Sequence, residues 1–472
     1  MIRRSAAFVV LMSLAGAGAQ AASPGDGAYR GTVECAGIGA SPGFRQSVAV
    51  VVRDGRFALQ RGIPDEDGSE TLVGSVAADG GVRVEGSYRA ETVKNVLYEG
   101  RIEDGRLRAE GMRGPRRCKV ALDGAPSAGI EPPYKRLPEI EARRAAVGAR
   151  IAGTFACAEP PVPVRDVTVE SFYRRDDPSF SIVDPEALAA RNRATAPLAA
   201  LASGIARMGD RYLGASPRNP AVAACMAGWL DRWAGEGAML GRVTMQGIYE
   251  RKWTLATLAL NYALLADAPE IDAATRARIE GWLRDLAWAT VPDYARKPFA
   301  DQNNHLNWAA LAVLAAAVAT DDAALFDWGI AATRGALAVV AADGSLPREL
   351  ARRSKALHYH RFALEPLVLA DALAAANGIE LSEQSGDALA RLAAFTRDGF
   401  ENPESVAKRA GVAQEGVGSE LVSPSSYAWA EIYLARHEDE KLAAAVDRVR
   451  GRALASTWLG GNLTLRFGPV KR

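Results

Sequence analysis

Two patterns of apolar and polar residues divide the chain. From about residue 28 to 123 the alternation has a period of two, and it is broken by three Asp-Gly pairs. Asp54-Gly55 separates Val48–Arg53 from Arg56–Gln60, Asp79-Gly80 separates Leu72–Val76 from Val82–Tyr88, and Asp104-Gly105 separates Leu97–Ile102 from Arg106–Met112. Asp-Gly between alternating runs signals a tight hairpin, because both residues tolerate the positive φ that such turns require. Residues 23–125 are therefore expected to form a small antiparallel β-domain. Residues 126–156 read as a linker. Pro126, Pro132, Pro133 and Pro138 punctuate it, and a charged stretch from Glu139 to Arg150 leaves room for one short helix.

Beyond Pro160 the composition shifts to alanine, leucine and tryptophan, and the period becomes helical. Apolar segments recur in pairs: 185–209 with 220–235, 250–266 with 272–289, 305–319 with 323–341, 357–376 with 385–397, and 425–436 with 439–452. Helix pairs repeating about every 50 residues suggest an array of α-hairpins, either an open solenoid or a closed α/α toroid. Periodicity alone does not choose between them. The helical domain is placed at 157–455, with a C-terminal tail at 456–472. Leu306–Thr320 is the longest apolar run there, but it has 15 residues and contains Asn307. It reads as a buried helix, too short to span a membrane.

Composition narrows the class. The chain has 472 residues, 49% hydrophobic and 24% charged, as expected of a soluble globular protein with more than one domain. Fifty-seven Lys and Arg against 56 acidic residues leave a formal net charge of +1, which argues against nucleic-acid binding through a general basic field. Residues 1–22 read as an export signal: Met1-Ile2-Arg3-Arg4 is basic, Ala6–Ala15 is apolar, and Ala19-Gln20-Ala21 is a small-x-small cleavage pattern. Cleavage removes Arg3 and Arg4 and no acids, so the balance moves from +1 to −1. A periplasmic or secreted protein with no stable membrane insertion is expected. In an oxidising compartment the four cysteines read as disulfides. Pairing Cys35 with Cys118 and Cys157 with Cys225 respects the division into domains, although four cysteines allow three connectivities. No cysteine or histidine spacing suggests a metal site, and no cofactor is expected.

Three of the four histidines fall in two short segments, Asp301–Trp308 and Leu346–His360. Each stands at a helix entrance. Arg352 and Tyr359 are seven residues apart and on a continuous helix share one face, so Arg348, Arg352, Arg353 and Lys355 form a candidate anion-binding edge. Plainer readings compete. Asn303 or Asn304 is a suitable helix N-cap, and the cations read equally as a solvated helix face. His358 and His360 point apart on a helix, which disfavours a metal pair. The residues alone therefore reach a secreted helical-repeat protein with a candidate site for an anionic ligand.

Several separated segments carry a resemblance. They are Gln246–Trp253, Asn303-Asn304-His305-Leu306-Asn307-Trp308, Asp343–Pro347 through Tyr359-His360, Pro161–Asp166, Leu325–Gly329 and Gly411–Glu415. In order and spacing they resemble polysaccharide lyase family 5, the periplasmic alginate lyases, over roughly Cys157 to Arg450. The resemblance implies an incomplete α/α toroid with a deep cleft for an anionic polysaccharide. It places the family's asparagine–histidine pair on Asn304 and His305, and its arginine and tyrosine on Arg352 and Tyr359. Such lyases remove the C5 proton of a 4-linked uronate and expel the C4 oxygen. Asn304 and Arg352 would bind the carboxylate and stabilise the enolate-like intermediate, as an oxyanion hole does.

Tyr359 would serve as base and acid, since nearby cations favour tyrosinate over a phenol of pKa near 10. His305 would neutralise the carboxylate or serve as base from the opposite face for another epimer. Gln246, Arg251, Lys252 and His358 are expected as subsite contacts, and Tyr173 as a closing residue on a lid at Phe172–Asp184. The sequence differs from the usual motif in carrying Leu306-Asn307 after the pair, and in having the β-domain. Polymannuronate, polyguluronate and polyglucuronate remain open as substrates. The β-domain reads as a structural or docking appendage in preference to a sugar-binding module. Two other functions compete: a non-catalytic polysaccharide-binding or export-complex component, and a glycoside hydrolase using Asp343, Glu349 or Asp301.

Overall fold

The structure is a computed structural model that describes residues 25, 27–52, 55–61, 70–124, 155–215, 218–294, 302–416, 423–449 and 454–469. The leader at 1–22 and most of the linker at 126–156 lie outside these residues, as do Asp54 and Asp301. The chain divides into two compact units, one built chiefly from residues up to 126 and the other chiefly from 127 onward.

The first unit is an eight-stranded antiparallel sheet: β1 (Gly27–Cys35), β2 (Phe44–Val52), β3 (Arg56–Arg61), β4 (Glu70–Val76), β5 (Gly81–Ala90), β6 (Thr92–Glu103), β7 (Arg106–Arg113) and β8 (Arg116–Gly124). The spatial order is β2-β1-β8-β7-β6-β5-β4-β3. Local turn chemistry sets the hairpins. Glu103 pairs with Arg106 across a two-residue turn in which Asp104 and Gly105 have φ of 50° and 70°, the mirror-image geometry that matches strand twist. At Asp79-Gly80 only the glycine is left-handed, at 84°. The Asp79 carboxylate there accepts the Gly81 N–H at 3.0 Å.

β2 and β3 stand at opposite ends of the strand order, yet only four residue steps join Val52 to Arg56. Four steps span at most about 15 Å, whereas eight flat strands are about 34 Å wide. The sheet therefore curls strongly, bringing the end of β2 within about 15 Å of the start of β3, in the manner of an eight-stranded barrel. Val33, Val48, Val50, Leu72, Val84, Val96, Tyr98, Leu107 and Leu122 point inward and are buried. Cys35 and Cys118 sit directly opposite one another on β1 and β8 and form a disulfide.

The second unit is helical: α1 (Pro185–Gly214), α2 (Pro220–Gly235), α3 (Met245–Tyr262), α4 (Ala273–Tyr294), α5 (Asn304–Thr320), α6 (Ala323–Leu337), α7 (Ala356–Ala376), α8 (Ala388–Glu401), α9 (Pro403–Ala410), α10 (Ala428–Leu434) and α11 (Glu440–Val449). Side chains mark the entrances. Asp184, Asn219, Thr244, Asn303 and Asp322 accept the first free backbone N–H groups of α1, α2, α3, α5 and α6, and proline follows the cap of α1 and α2. Helices α1, α3, α5, α7 and α10 pack in series, and each is covered by its partner α2, α4, α6, α8 or α11. The result is the two-layered arrangement of an α/α toroid. Helix α5 is apolar on every side and buried on every side. Its alanines let α3, α4, α6 and α7 approach closely.

Cys157 is joined to Cys225 on α2. Indole N–H groups of Trp229 and Trp233 donate to the carbonyls of Ala158 and Pro161 at 2.8 and 2.9 Å, holding the entering segment on α2. At the other end, the segment expected as a tail is part of the core. Leu459, Leu463, Leu465 and Phe467 are buried, and residues 455–467 pack against α1, α3 and α10. Arg466, only 1% exposed, donates to Asp210, Asn261 and the Gly460 carbonyl at 3.2, 2.8 and 2.8 Å. The tail bridges the first and last helices of the series, which sequence periodicity cannot reveal because the segment is too short and irregular.

Candidate active site

The Asn303-Asn304-His305 segment divides its duties. Asn303 is the N-cap of α5, its side chain accepting the His305 N–H at 3.2 Å. Asn304 is thereby released from capping. Its backbone N–H and side-chain amide donate to the Glu349 carboxylate at 2.9 and 3.0 Å, and both residues are 1% exposed. Burial raises the pKa of Glu349, while its bonds from Asn304 oppose that shift. Asn304 Oδ1 has no hydrogen-bond partner among the described residues.

Arg352 and Tyr359 do come together, but not along a continuous helix. A single turn, Pro347–Leu350, precedes Arg352, then Arg353 enters the left-handed region at φ 51°, and α7 begins only at Ala356. Gln414 holds the break from outside: its carbonyl oxygen accepts the Leu357 N–H at 2.9 Å, and its amide donates to the Arg353 carbonyl at 3.0 Å. The turn brings the Arg352 guanidinium to 3.6 Å from the centre of the Tyr359 ring, a cation–π contact.

The Tyr359 hydroxyl lies 2.6 Å from that of Tyr173. Tyr173 belongs to the loop anticipated as a lid. The loop is closed on itself by Asp177, whose carboxylate accepts the N–H groups of Ser179, Ser181 and Ile182 at 2.9, 2.6 and 2.8 Å. Arg352 also donates to the Phe180 carbonyl in this loop. Burial pushes the Tyr359 phenol well above its ordinary value, and the neighbouring Tyr173 adds to the shift. Arg352 acts in the opposite direction and loses. The expectation that nearby cations leave a tyrosinate is thus corrected for the unliganded protein: one guanidinium does not offset the loss of water.

His305 lies half-buried under Tyr249, with ring centroids 3.6 Å apart and planes 10° apart. Its Nδ1 is 3.2 Å from Lys252 Nζ. Burial drives its pKa well below the ordinary imidazole value, and the charges of Lys252 and then Arg352 add to this. His305 is therefore neutral at physiological pH.

Three expected subsite contacts are corrected. Gln246, Arg251 and Lys252 are 6%, 4% and 0% exposed and are partnered inside the protein. Gln246 donates to Glu250 at 2.7 Å, Arg251 pairs with Asp293 at 2.7 Å, and Lys252 donates to the Tyr294 hydroxyl at 2.6 Å. Helix α3 is almost wholly enclosed, so a basic pair on it cannot meet a polymer. His358 packs edge-on to Tyr359 and parallel to Phe362, and burial lowers its pKa to about 3. His360 is structural, accepting the Leu346 N–H at 2.9 Å. Of the hydrolase carboxylates, Glu349 is occupied with Asn304, and Asp343 pairs with Arg409 at 3.0 Å and caps a turn at Ser345. Tyr249, the stacking partner of His305, went unassigned in sequence although it lies inside the Gln246–Trp253 segment. An aromatic four residues before another, Trp253, reads simply as core.

The sequence profile of the alginate lyase family matches residues 168–406. A polysaccharide lyase of Stenotrophomonas maltophilia is 37% identical over 317 residues, covering 66% of this chain and 90% of that protein. An alginate lyase of Azotobacter vinelandii is 33% identical over 323 residues, 67% of this chain and 85% of its own length. Among solved structures, alginate lyase A1-III from Sphingomonas species A1 superposes with a TM-score of 0.61 at 22% identity, covering 73% of this chain and 99% of that one. This is a likeness of fold. With its two-layered helical series and the Asn304-His305 and Arg352…Tyr359 segments, the chain belongs to the alginate lyase family.

Proposed function

We propose that this protein is a polysaccharide lyase that cleaves alginate, with polymannuronate stretches as its preferred substrate, by β-elimination. The observation that carries the reading is the Tyr359 phenol, buried, lying against the Arg352 guanidinium and 2.6 Å from the Tyr173 hydroxyl. Abstraction of the C5 proton builds negative charge on the C6 carboxylate, so the site must supply positive charge and N–H donors there. Arg352 supplies the fixed charge and neutral His305 an N–H, while Asn304, whose donors are taken by Glu349 and whose free Oδ1 can only accept, anchors the start of α5 beside them in place of the carboxylate-binding role expected from sequence. Tyr359, once deprotonated, takes the C5 proton and returns a proton to the departing C4 oxygen. In a mannuronate both lie on the same side of the ring, so one phenol serves both steps. The raised pKa makes the tyrosinate scarce but strongly basic. Tyr173 closes over the substrate from the 172–184 loop.

The two disulfides and the family favour an extracytoplasmic enzyme, and we place it in the periplasm after removal of residues 1–22. N-terminal sequencing of protein recovered from the periplasm checks that cleavage site. The β-barrel is assigned a docking role, checked by whether its presence changes retention on immobilised polymer. Incubation with a panel of polymannuronate, polyguluronate and polyglucuronate, followed by ultraviolet absorbance of the unsaturated ends, tests the activity itself. Polymannuronate should give the fastest rise. Binding without any absorbance change would instead support the non-catalytic polysaccharide-binding component.

A further inference from the structure

Lys252 is wholly enclosed, yet no carboxylate among the described residues forms an ion pair with it. The two acids whose charge it feels are engaged elsewhere: Glu250 accepts from Arg191 at 2.7 Å, and Asp293 pairs with Arg251 at 2.7 Å. Burial pushes the pKa of the Lys252 amine well below its ordinary value, but charged or neutral it keeps at least two N–H donors, and the site offers three acceptors. They are the Tyr294 hydroxyl at 2.6 Å, His305 Nδ1 at 3.2 Å, and the face of the Tyr249 ring, whose centre is 4.2 Å away. Tyr249 also stacks on the imidazole, so one ring fixes the plane of His305 and packs against the amine beside it. Such an arrangement is expensive to bury, and it contributes nothing to a substrate that cannot reach it.

We propose that Lys252 is a positioning residue: by donating to His305 Nδ1 it places the imidazole proton on Nε2, so that His305 presents an N–H to the site. A neutral imidazole carries one proton, and the partner of one nitrogen decides which nitrogen holds it. With Nδ1 engaged as an acceptor, Nε2 has no lone pair to offer. His305 then serves as a donor to the uronate carboxylate, and the role of a base on the opposite face is closed to it. This rests on the lyase reading for what the N–H is used for, but the tautomer itself is a property of the unliganded protein.

The chain has only four histidines, which makes the test direct. Full-length protein labelled with nitrogen-15 in histidine reports the protonation of each imidazole nitrogen, and the His305 signals are those lost in His305→Gln. Wild-type His305 should carry its proton on Nε2 and none on Nδ1. In Lys252→Met the preference should collapse toward a mixture of tautomers. On polymannuronate kcat should fall roughly 10- to 100-fold, the scale of one lost charge-assisted donor, with KM changing less. A proton on Nδ1 in the wild type, a doubly protonated ring, or an unaltered tautomer in Lys252→Met overturns the proposal. If Lys252→Met does not fold, the wild-type spectrum still decides. An Nε2–H tautomer in a protein that cleaves no polymer would sink the lyase reading and leave this one standing.

Discussion

The two bodies of this protein handle charge in opposite ways. On the β-barrel, charged side chains stay in water and pair across the outer face: Arg83 with Glu85 and Glu99, Arg101 with Asp79 and Glu103, Arg108 with Asp123. Its described interior is apolar, apart from Glu70. The helical body instead buries Glu250, Arg251, Lys252, Glu349, Glu365, Asp371, Arg397 and Arg466. Exposed pairs contribute little to stability, and buried ones cost much of what they return. Among its described residues the barrel builds its core with Glu70 as its one buried charged side chain. The buried charged groups of the helical body call for another reason, and Lys252 and Glu349 supply one, because each holds a residue of the candidate site in place. Arg466 is the contrasting case, a buried cation that ties the chain end to α1 and α3.

The largest effect expected is catalytic. Tyr359→Phe removes only the hydroxyl and should lower kcat by about 10²- to 10⁴-fold, while polymer binding by calorimetry persists. A variant that keeps most of its turnover would move the chemistry away from Tyr359. Next is Arg466→Ala, which strands Asp210 and should cost about 3–5 kcal/mol of stability, read by denaturant unfolding. Folded Arg466→Ala should keep its kcat, and a loss there would blur the distinction between structural and site-directed buried charge. Smaller is the effect of pH. The Tyr359 pKa is raised, so below it the tyrosinate fraction grows about tenfold per pH unit. The polymer-cleavage kcat/KM should climb accordingly across neutral and mildly alkaline pH, and His305, held neutral there, adds no inflection. A flat profile would contradict a phenol as the base. The smallest effect is on the barrel, where Arg83→Ala should leave the unfolding midpoint unchanged within error. A clear drop would mean that the surface pairs are worth more than their exposure implies.

Much was legible because it is local. Asp104-Gly105 forms a hairpin turn by its own φ preferences, and Asn303 caps a helix because a short amide reaches its own backbone. The helix pairs follow from a period of 3.6, and Asn304-His305 and Arg352…Tyr359 were found through their segments. What failed was long-range. Arg251-Lys252 looks like a basic subsite in sequence, but only the packing of α3 against its neighbours shows that water and polymer are excluded. Glu349 carries no mark that distinguishes an anchor for Asn304 from an exposed helix carboxylate.

The sequence by itself therefore determined the element types, the division into a β-region and a helical region, the cysteine partition, and the family to which the helical part belongs. Tertiary structure decided the rest. It curled the sheet so that the end of β2 came back toward the start of β3, folded residues 455–467 back on α1 and α10, and broke the helix at Arg353 so that Arg352 turned onto Tyr359. It also reversed the expected charge state of Tyr359. The physical reason is common to all four. Turn and helix preferences are written in neighbouring residues, whereas burial and its electrostatic cost are set by atoms that are distant in the chain and meet only when it is folded.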